Sequence, residues 1–325
     1  MKVIYDINDW KEEGVVATVG FFDGVHPGHR FLLDEMKHLA QKRGLPSAVV
    51  TFGKHPRMAL HSDYQPALLN SFDEKIERLA ATGVDYAIVM DFTIELASLT
   101  AQTFISEILA AQWKVKALLI GYDHRFGHNR SEGFDEYVIY GMASGMEIIK
   151  TESYNETDAA REIGNIDEID KVGKVGEVGE AGKAGEAGIT GIAVSSSTIR
   201  RYLANGNVAA AARLLGYRYR IKGKVVEGFK IGRSLGFPTA NIAIDDPCKA
   251  IPADGLYAVT VNVASQTFKG ILYIGSRPTF DMDSARTVEV NIFDFSADIY
   301  NKTISIEFVE YVRKDLKFDS PEALR

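Results

Sequence analysis

The 325-residue chain has one cysteine, Cys248. A single thiol excludes an intrachain disulfide and a thiolate-rich zinc site. Long apolar runs are missing too, since none approaches the ~18 residues that a helical membrane span needs. The opening Met-Lys-Val-Ile-Tyr-Asp lacks the apolar stretch of a secretory signal. There is no excess of positive charge. Lys and Arg number 37 against 44 Asp and Glu, a net charge of −7, so no general attraction to nucleic acid or to an anionic membrane follows. These absences predict a soluble, cytoplasmic protein with neither nucleic acid nor membrane as partner. What remains is ordinary for a globular chain, 46% hydrophobic and 25% charged, and the length suits two domains with separate cores.

Up to about residue 151, strand-like runs at 15–20, 47–52, 86–91, 117–121 and 147–152 alternate with helical patterns. Phe31, Leu32, Met36, Leu39 and Ala40 form one helical stripe, closed by Gly44. Ser71 and Glu74 make a capping box before Ile76 and Leu79, and 103–113 reads as a further amphipathic helix. This alternation predicts a parallel, doubly wound sheet, whose ligands sit at the carboxyl ends of its strands. Residues 171–188 carry glycine at every third position without proline, a pattern that fits neither collagen nor a phosphate-binding P-loop. A flexible low-complexity insertion over about 164–190 is expected. Helices are expected at 195–203 and 208–215. From Tyr217 the hydrophobic period changes to two, with strands at 219–226, 257–263, 268–274, 288–295 and 303–312. Short strands at that spacing predict a small antiparallel barrel or sandwich, with the domain boundary near 204–216.

The densest chemistry lies at 15–29, Val-Val-Ala-Thr-Val-Gly-Phe-Phe-Asp-Gly-Val-His-Pro-Gly-His. A β-branched run ends at Gly20, a turn follows, and Pro27 opens a helix. His26 and His29, three apart on the first turn, can face one point. The helix N-terminus adds free N–H groups and the positive end of its dipole, and Gly28 leaves room for a phosphate to approach. The segment suits a nucleotide phosphate on which charge builds. In Val194-Ser-Ser-Ser-Thr-Ile-Arg200, serine hydroxyls cap a helix and, with Arg200 one turn on, suit a triphosphate. In 228–241, Gly228, Gly232 and Gly236 stand four apart, and Thr239 and Asn241 offer the hard oxygens that Mg²⁺ prefers. Around Glu289, strand alternation puts Val288, Val290 and Ile292 on one face, Glu289 and Asn291 on the other.

Together these motifs resemble the bacterial bifunctional riboflavin kinase/FMN adenylyltransferase (FAD synthetase) family, over nearly the whole chain except 160–190. Gly20-Phe-Phe-Asp-Gly-Val-His-Pro-Gly-His29 is similar to the family's adenylyltransferase turn, with Phe21 where the family has Asn. Thr51-Phe-Gly-Lys-His-Pro56 resembles its Thr-Phe-x-Pro-His-Pro stretch, and Gly121-Tyr-Asp-His-Arg-Phe-Gly127 its flavin loop, with Lys54 and His124 as departures. The Val194–Arg200 stretch is similar to its Ile-Ser-Ser-Thr-x-Ile-Arg signature. Gly232-Arg-Ser-Leu-Gly-Phe-Pro-Thr-Ala-Asn241 closely resembles the kinase motif, the most specific in the chain. The Val-Glu-x-His segment is matched at Val288 and Glu289, with Asn291 for the His.

The resemblance implies an α/β, doubly wound nucleotidyltransferase (Rossmann-like) domain over 1–204, a helical linker over 205–216, and a small antiparallel riboflavin kinase-like β-barrel over 217–325. It implies small-molecule substrates, riboflavin, FMN and ATP, with Mg²⁺ as cofactor and FMN and FAD as products. His26, His29 and Glu289 become the catalytic residues. Gly20, Phe21, Phe22, Asp23, His26, His29, Ser196, Ser197 and Arg200 would hold the adenylyltransferase's ATP. Asp123, Phe126 and His55 would hold its flavin. Gly228, Gly232, Gly236, Thr239 and Asn241 would hold the kinase's ATP, with Thr239 and Asn241 at the metal. Two rivals remain: an adenylyltransferase for another acceptor, such as a pantetheine or nicotinate nucleotide, and a non-catalytic flavin-binding protein. The glycine-rich kinase motif and Glu289 count against the first. The intact histidine pair counts against the second.

Overall fold

The computed structural model describes residues 1–60, 63–121, 125–127, 132–152, 154, 194–228, 238–276 and 286–315. Contacts divide the chain into two compact units, and the described residues of the first end at Tyr154 while those of the second begin at Val194. The insertion at 164–190 lies outside the described residues.

The first unit is built on a six-stranded parallel sheet: β1 (Lys2–Ile4), β2 (Val15–Val19), β3 (Ser47–Phe52), β4 (Tyr86–Met90), β5 (Val115–Ile120) and β6 (Glu147–Lys150), in the order β1-β4-β3-β2-β5-β6. The strands β2 and β3 are buried at every residue, as near-continuous apolar runs demand when helices cover both sheet faces. Alternate residues of β2 divide between the two cores. Val16 joins Val49, Ala117 and Leu119 under Leu33, Met36 and Ala40 of α1 (Pro27–Arg43). Val15, Ala17 and Val19 join the opposite face. That face is covered by a helix α5, α-helical over Ala101–Thr103 and π-helical over Phe104–Gln112, and by α6 (Phe134–Ala143). The remaining helices are α2 (Pro56–Leu60), α3 (Phe72–Ala81) and α4 (Ile94–Ser98).

Chain order from β2 runs outward through β3 and β4, then crosses back to β5 and β6 on the other side. The sheet order therefore reverses beside β2. Ligands of open α/β sheets sit in that crevice, beyond the strand carboxyl ends. The 20–26 turn leaves β2 at this place.

Three elements differ from expectation. The edge strand β1 pairs in parallel with β4 but has only three residues, one of them buried, too few for a periodic signal. The segment expected as an ordinary helix at 103–113 winds as a π-helix over nine residues, which aligns Phe104, Ile105 and Leu109 on the core. The strand β8 (Ala240–Ile244) continues what reads as a glycine-rich loop, and only Ile242 in it is fully buried.

The second unit opens with α7 (Ser196–Ala204) and α8 (Val208–Leu215) and closes into a six-stranded barrel. Its strands are β7 (Arg220–Val226), β8, β9 (Gly255–Val263), β10 (Gln266–Ser276), β11 (Arg286–Ile292) and β12 (Thr303–Arg313), in the closed order β10-β11-β8-β7-β12-β9. Every pairing is antiparallel. Strict alternation in β9 turns Tyr257, Val259 and Val261 inward. The Leu203 carbonyl of α7 accepts the Ala253 N–H at 3.0 Å, tying the helices to the barrel.

Candidate active sites

The turn after β2 is strained and tightly closed. Phe22, Gly24 and Val25 all have positive φ, at 55°, 89° and 39°, and Phe22 and Val25 are buried. Non-glycine residues keep such backbone angles only where surrounding contacts enforce them, and they cluster at functional sites. Gly20 donates its N–H to the Val50 carbonyl at 3.0 Å, and a Cβ there would lie 2.9 Å from the Phe22 ring. The Phe21 carbonyl accepts the Thr51 hydroxyl at 3.3 Å.

His26 is the N-cap of α1 and Pro27 follows at its first position. The His26 and His29 imidazoles stack, with centroids 3.7 Å apart and planes 18° apart, and Phe22 meets His29 edge-on at 5.2 Å. His26 is 6% exposed and His29 half-buried. Neither Nδ1 finds a hydrogen-bond partner among the described residues. Burial lowers the His26 pKa to about 4, helped by the Arg30 cation. Burial lowers His29 well below its usual value, helped by His26. Both rings are therefore neutral at pH 7, each with one N–H to donate. These are not two solvated histidines at a helix start.

Asp23 is 7% exposed, and its Oδ1 accepts the N–H groups of Leu69 and Asn70 at 2.9 and 3.2 Å. The motif turn is thereby tied to the segment that leads into α3, whose Ser71–Glu74 capping box is formed as expected. His55 meets the Phe21 ring edge-on at 4.9 Å and lies 5.7 Å from Tyr64, so a row of rings borders the turn. Phe126 is 6% exposed; its ring packs on Phe104 and Tyr137, and its N–H is donated to the Tyr137 hydroxyl at 2.8 Å. That packing anchors the loop at Phe126. Asp123 lies outside the described residues.

Of the expected triphosphate group, Ser195 is the N-cap of α7 and accepts the Thr198 N–H at 3.2 Å. Ser196 and exposed Ser197 occupy the first two helical positions, and half-buried Arg200 lies one turn further. These residues belong to the second unit.

In the barrel, cross-strand register assembles the second site. Glu289 on β11 stands opposite Asn241 on β8 and Tyr273 on β10, so all three share one outer face. The Thr239 hydroxyl donates to Glu289 Oε2 at 3.1 Å. Asn291 Nδ2 donates to the Pro238 carbonyl at 2.7 Å. Gly228 closes on the same place, since a Cβ there would fall 2.0 Å from Asn241 Nδ2. Tyr273 donates to Asp315 Oδ2 at 3.0 Å, and burial and that bond push its pKa up to about 12. A cavity of about 620 Å³ opens beside Pro238 and Asn291, walled by Phe293 and Phe295. Gly232 and Gly236 lie outside the described residues.

A family model for FAD synthetase matches residues 8–162, and one for riboflavin kinase matches 215–325. The chain is 33% identical over 323 residues to the bifunctional riboflavin kinase/FMN adenylyltransferase of Escherichia coli (strain K12), covering 99% of this chain and 92% of that one. The chain belongs to the bifunctional riboflavin kinase/FMN adenylyltransferase family. The relative of the same name from Listeria monocytogenes serovar 1/2a is 33% identical over 330 residues, covering 100% of this chain and 94% of that one. A crystal structure from Streptococcus pneumoniae, described as a macrolide-efflux protein, matches with a TM-score of 0.79 at 30% identity, covering 99% of this chain and 94% of that one. Among the described residues, no helix is long and apolar enough to cross a membrane.

For this riboflavin kinase/FMN adenylyltransferase family member, sequence reasoning missed two residues that the fold brings to the sites. Lys75, which no local pattern singles out, is 3% exposed, with its ammonium 4.2 Å from the centre of the Phe21 ring. Tyr273 reads as an outer-face barrel residue, and register alone sets it beside Glu289. The capping box just before Lys75 gave its helix and its turn, and thus a hint of its direction, but no sign of its burial.

Proposed function

We propose that this chain phosphorylates riboflavin to FMN in its second unit and transfers AMP from ATP to FMN in its first, giving FAD and pyrophosphate. The observation that carries the reading is that each unit has its own set of phosphate-directed groups. One is a neutral histidine stack at a helix N-terminus in the sheet crevice. The other is a carboxylate hydrogen-bonded to a threonine on the barrel face. The family relatives bear the names of both activities.

In the kinase step, Glu289 is the general base. A riboflavin 5′-hydroxyl is a weak nucleophile, and the carboxylate takes its proton as the oxygen attacks the γ-phosphorus of ATP. Thr239 holds Oε2 of that carboxylate. Mg²⁺ fits the donors present: Thr239 and Asn241 supply hard oxygens, and no cluster of three His, Cys, Asp or Glu exists among the described residues to form an all-protein cage. When bound, the ion neutralises charge on the transferring phosphates. Gly228, with Gly232 and Gly236, lets the backbone close over the nucleotide.

In the adenylyl step, an oxygen of the FMN phosphate forms a bond to the α-phosphorus of ATP while the bond to the β-phosphate oxygen breaks. The nucleophile is already anionic, so no base is required. Catalysis is positioning and charge stabilisation. His26 and His29 donate neutral N–H groups, alongside the N-terminus of α1. Gly20, Phe21, Phe22 and Asp23 shape the ATP turn. The serine-capped helix start of Ser196 and Ser197, with Arg200 one turn on, remains the candidate for a triphosphate within the second unit. Asp123, Phe126 and His55 meet the flavin. The proposed domain bounds are 1–204, 205–216 and 217–325, and the proposed location is the cytoplasm.

The purified chain, given riboflavin, ATP and Mg²⁺, should form FMN first and FAD later, with pyrophosphate appearing only once FMN is present. Chelating the metal should stop riboflavin phosphorylation. FAD from supplied FMN without any FMN from riboflavin would leave an adenylyltransferase alone. Flavin bound but recovered unchanged would leave a binding protein.

A further inference from the structure

Lys75 is a buried cation that the mechanism above does not use. It lies in the first turn of α3, four residues past the Ser71 cap, and is 3% exposed. Taking an ammonium out of water costs several kcal/mol unless partners compensate. The compensation here comes from the ends of β2 and β3. Nζ donates to the Phe52 carbonyl at 2.7 Å and to Thr51 Oγ1 at 3.4 Å. The ammonium lies 4.2 Å from the centre of the Phe21 ring and 5.5 Å from that of Phe72. Asp23 attracts it across the turn, and burial outweighs that attraction, lowering its pKa to about 8.

These contacts converge on the 20–25 turn. At one end, Asp23 accepts the Leu69 and Asn70 N–H groups. At the other, the Phe21 ring lies against the ammonium and its carbonyl accepts the Thr51 hydroxyl. Thr51 in turn accepts from Lys75. The cation is the group common to Phe21 and the end of β3, and it attracts Asp23 across the turn. At 3% exposure it is spent on protein partners, which leaves it to act through the turn rather than on substrate.

We propose that Lys75 is a positioning residue of the adenylyl-transfer site: its ammonium, held between the Phe21 ring and the Thr51–Phe52 end of β3, fixes the turn that delivers His26 and His29 to the nucleotide. This rests on the function proposed above. An aromatic face attracts a desolvated cation, and a neutral amine has no such attraction. Losing the charge removes the attraction on the Phe21 ring and the cation's pull on Asp23. The groups that face Lys75 are Asp23 from the turn, the Thr51 hydroxyl and Phe52 carbonyl from β3, and the Phe72 ring of its own helix. His55 stands beyond Phe21, and Glu74 is engaged with the Ser71 N–H.

The test uses the full chain with K75M and K75R, and measures KM for ATP in FAD formation from FMN. Riboflavin phosphorylation in the same molecule is the reference. A merely structural role lowers the folded fraction, which lowers apparent kcat and leaves KM unchanged. We expect K75M to raise KM for ATP in adenylyl transfer by about tenfold or more, K75R to stay within about threefold of the unmodified chain, and the kinase KM to be unaffected. The unmodified chain should show the same rise in KM as pH climbs through about 8, and K75R should not. If K75M does not fold, that second comparison decides alone. An unchanged KM in K75M, or parallel pH profiles for the unmodified chain and K75R, overturns the proposal. An unmodified chain that forms no FAD overturns the assigned activity itself, and this proposal with it.

Discussion

The imidazoles of His26 and His29 lie face to face, 3.7 Å between centroids, with both Nδ1 atoms buried and unpartnered among the described residues. Stacked in this way, two protonated rings would repel each other. The pair stays neutral, and each ring offers a donor without a standing positive charge. An arriving phosphate would supply the negative charge that makes protonation of either ring favourable. The site is thus set to respond to the developing anion rather than to bind any anion tightly.

Removing one of these donors should separate the two activities. H29A is expected to slow FAD formation by about 100-fold or more, the usual cost of losing a preorganised donor to developing charge. Riboflavin phosphorylation should be nearly intact. Assay of FMN and FAD from one preparation checks this, and equal loss of both would contradict separate sites.

E289Q should do the reverse. It keeps the shape that accepts the Thr239 hydroxyl but cannot take a proton, so FMN formation should fall by about 100-fold or more while FAD formation from supplied FMN continues. An unchanged rate of FMN formation would remove Glu289 from the role of base.

G228A tests the close approach on the barrel. The new methyl would meet Asn241 Nδ2 at 2.0 Å, so either the Asn241 amide or the 228 backbone must move. The expected result is a raised KM for ATP in riboflavin phosphorylation, with adenylyl transfer unaffected. Initial rates against ATP concentration at each activity decide it.

The buried His26 makes the first unit sensitive to acid. Its pKa is about 4 when folded and 6.5 when free, so between those values the unfolded chain binds the extra proton and stability falls as pH drops. A gap of that size corresponds to about 3 kcal/mol, and His29 acts in the same direction. Both tryptophans, Trp10 and Trp113, lie in the core of the first unit, so their fluorescence reports its unfolding alone. The denaturant midpoint should fall between pH 6.5 and about 4 in the unmodified chain and less steeply in H26Q. Equal slopes would mean that His26 is not held neutral by the fold.

Much of this molecule was legible residue by residue. The apolar runs at 47–52 and 86–91, the Ser71 capping box and the Gly44 helix stop are local signals, and each appears where its side chains and backbone preferences require. The alternation of Val288, Glu289, Val290 and Asn291 set two faces of a strand before any barrel was known. The edge strand β1 and the strand β8 escaped because three or five residues with one buried position carry no period. Phe126 reads as an aromatic residue on a loop, and only packing against Tyr137 and Phe104 made it core.

Local side-chain pattern was enough to specify the strand, turn and helix that carry His26 and His29, the change of period near Tyr217, and the residue types available at both sites. The chemical state and neighbours of those residues came from long-range packing. Burial made the histidines neutral, because desolvation depends on what covers a ring and not on its neighbours in the chain. Register put Tyr273 and Asn241 beside Glu289, since cross-strand pairing joins positions far apart in sequence. Packing at the ends of β2 and β3 made Lys75 a buried cation against the Phe21 ring.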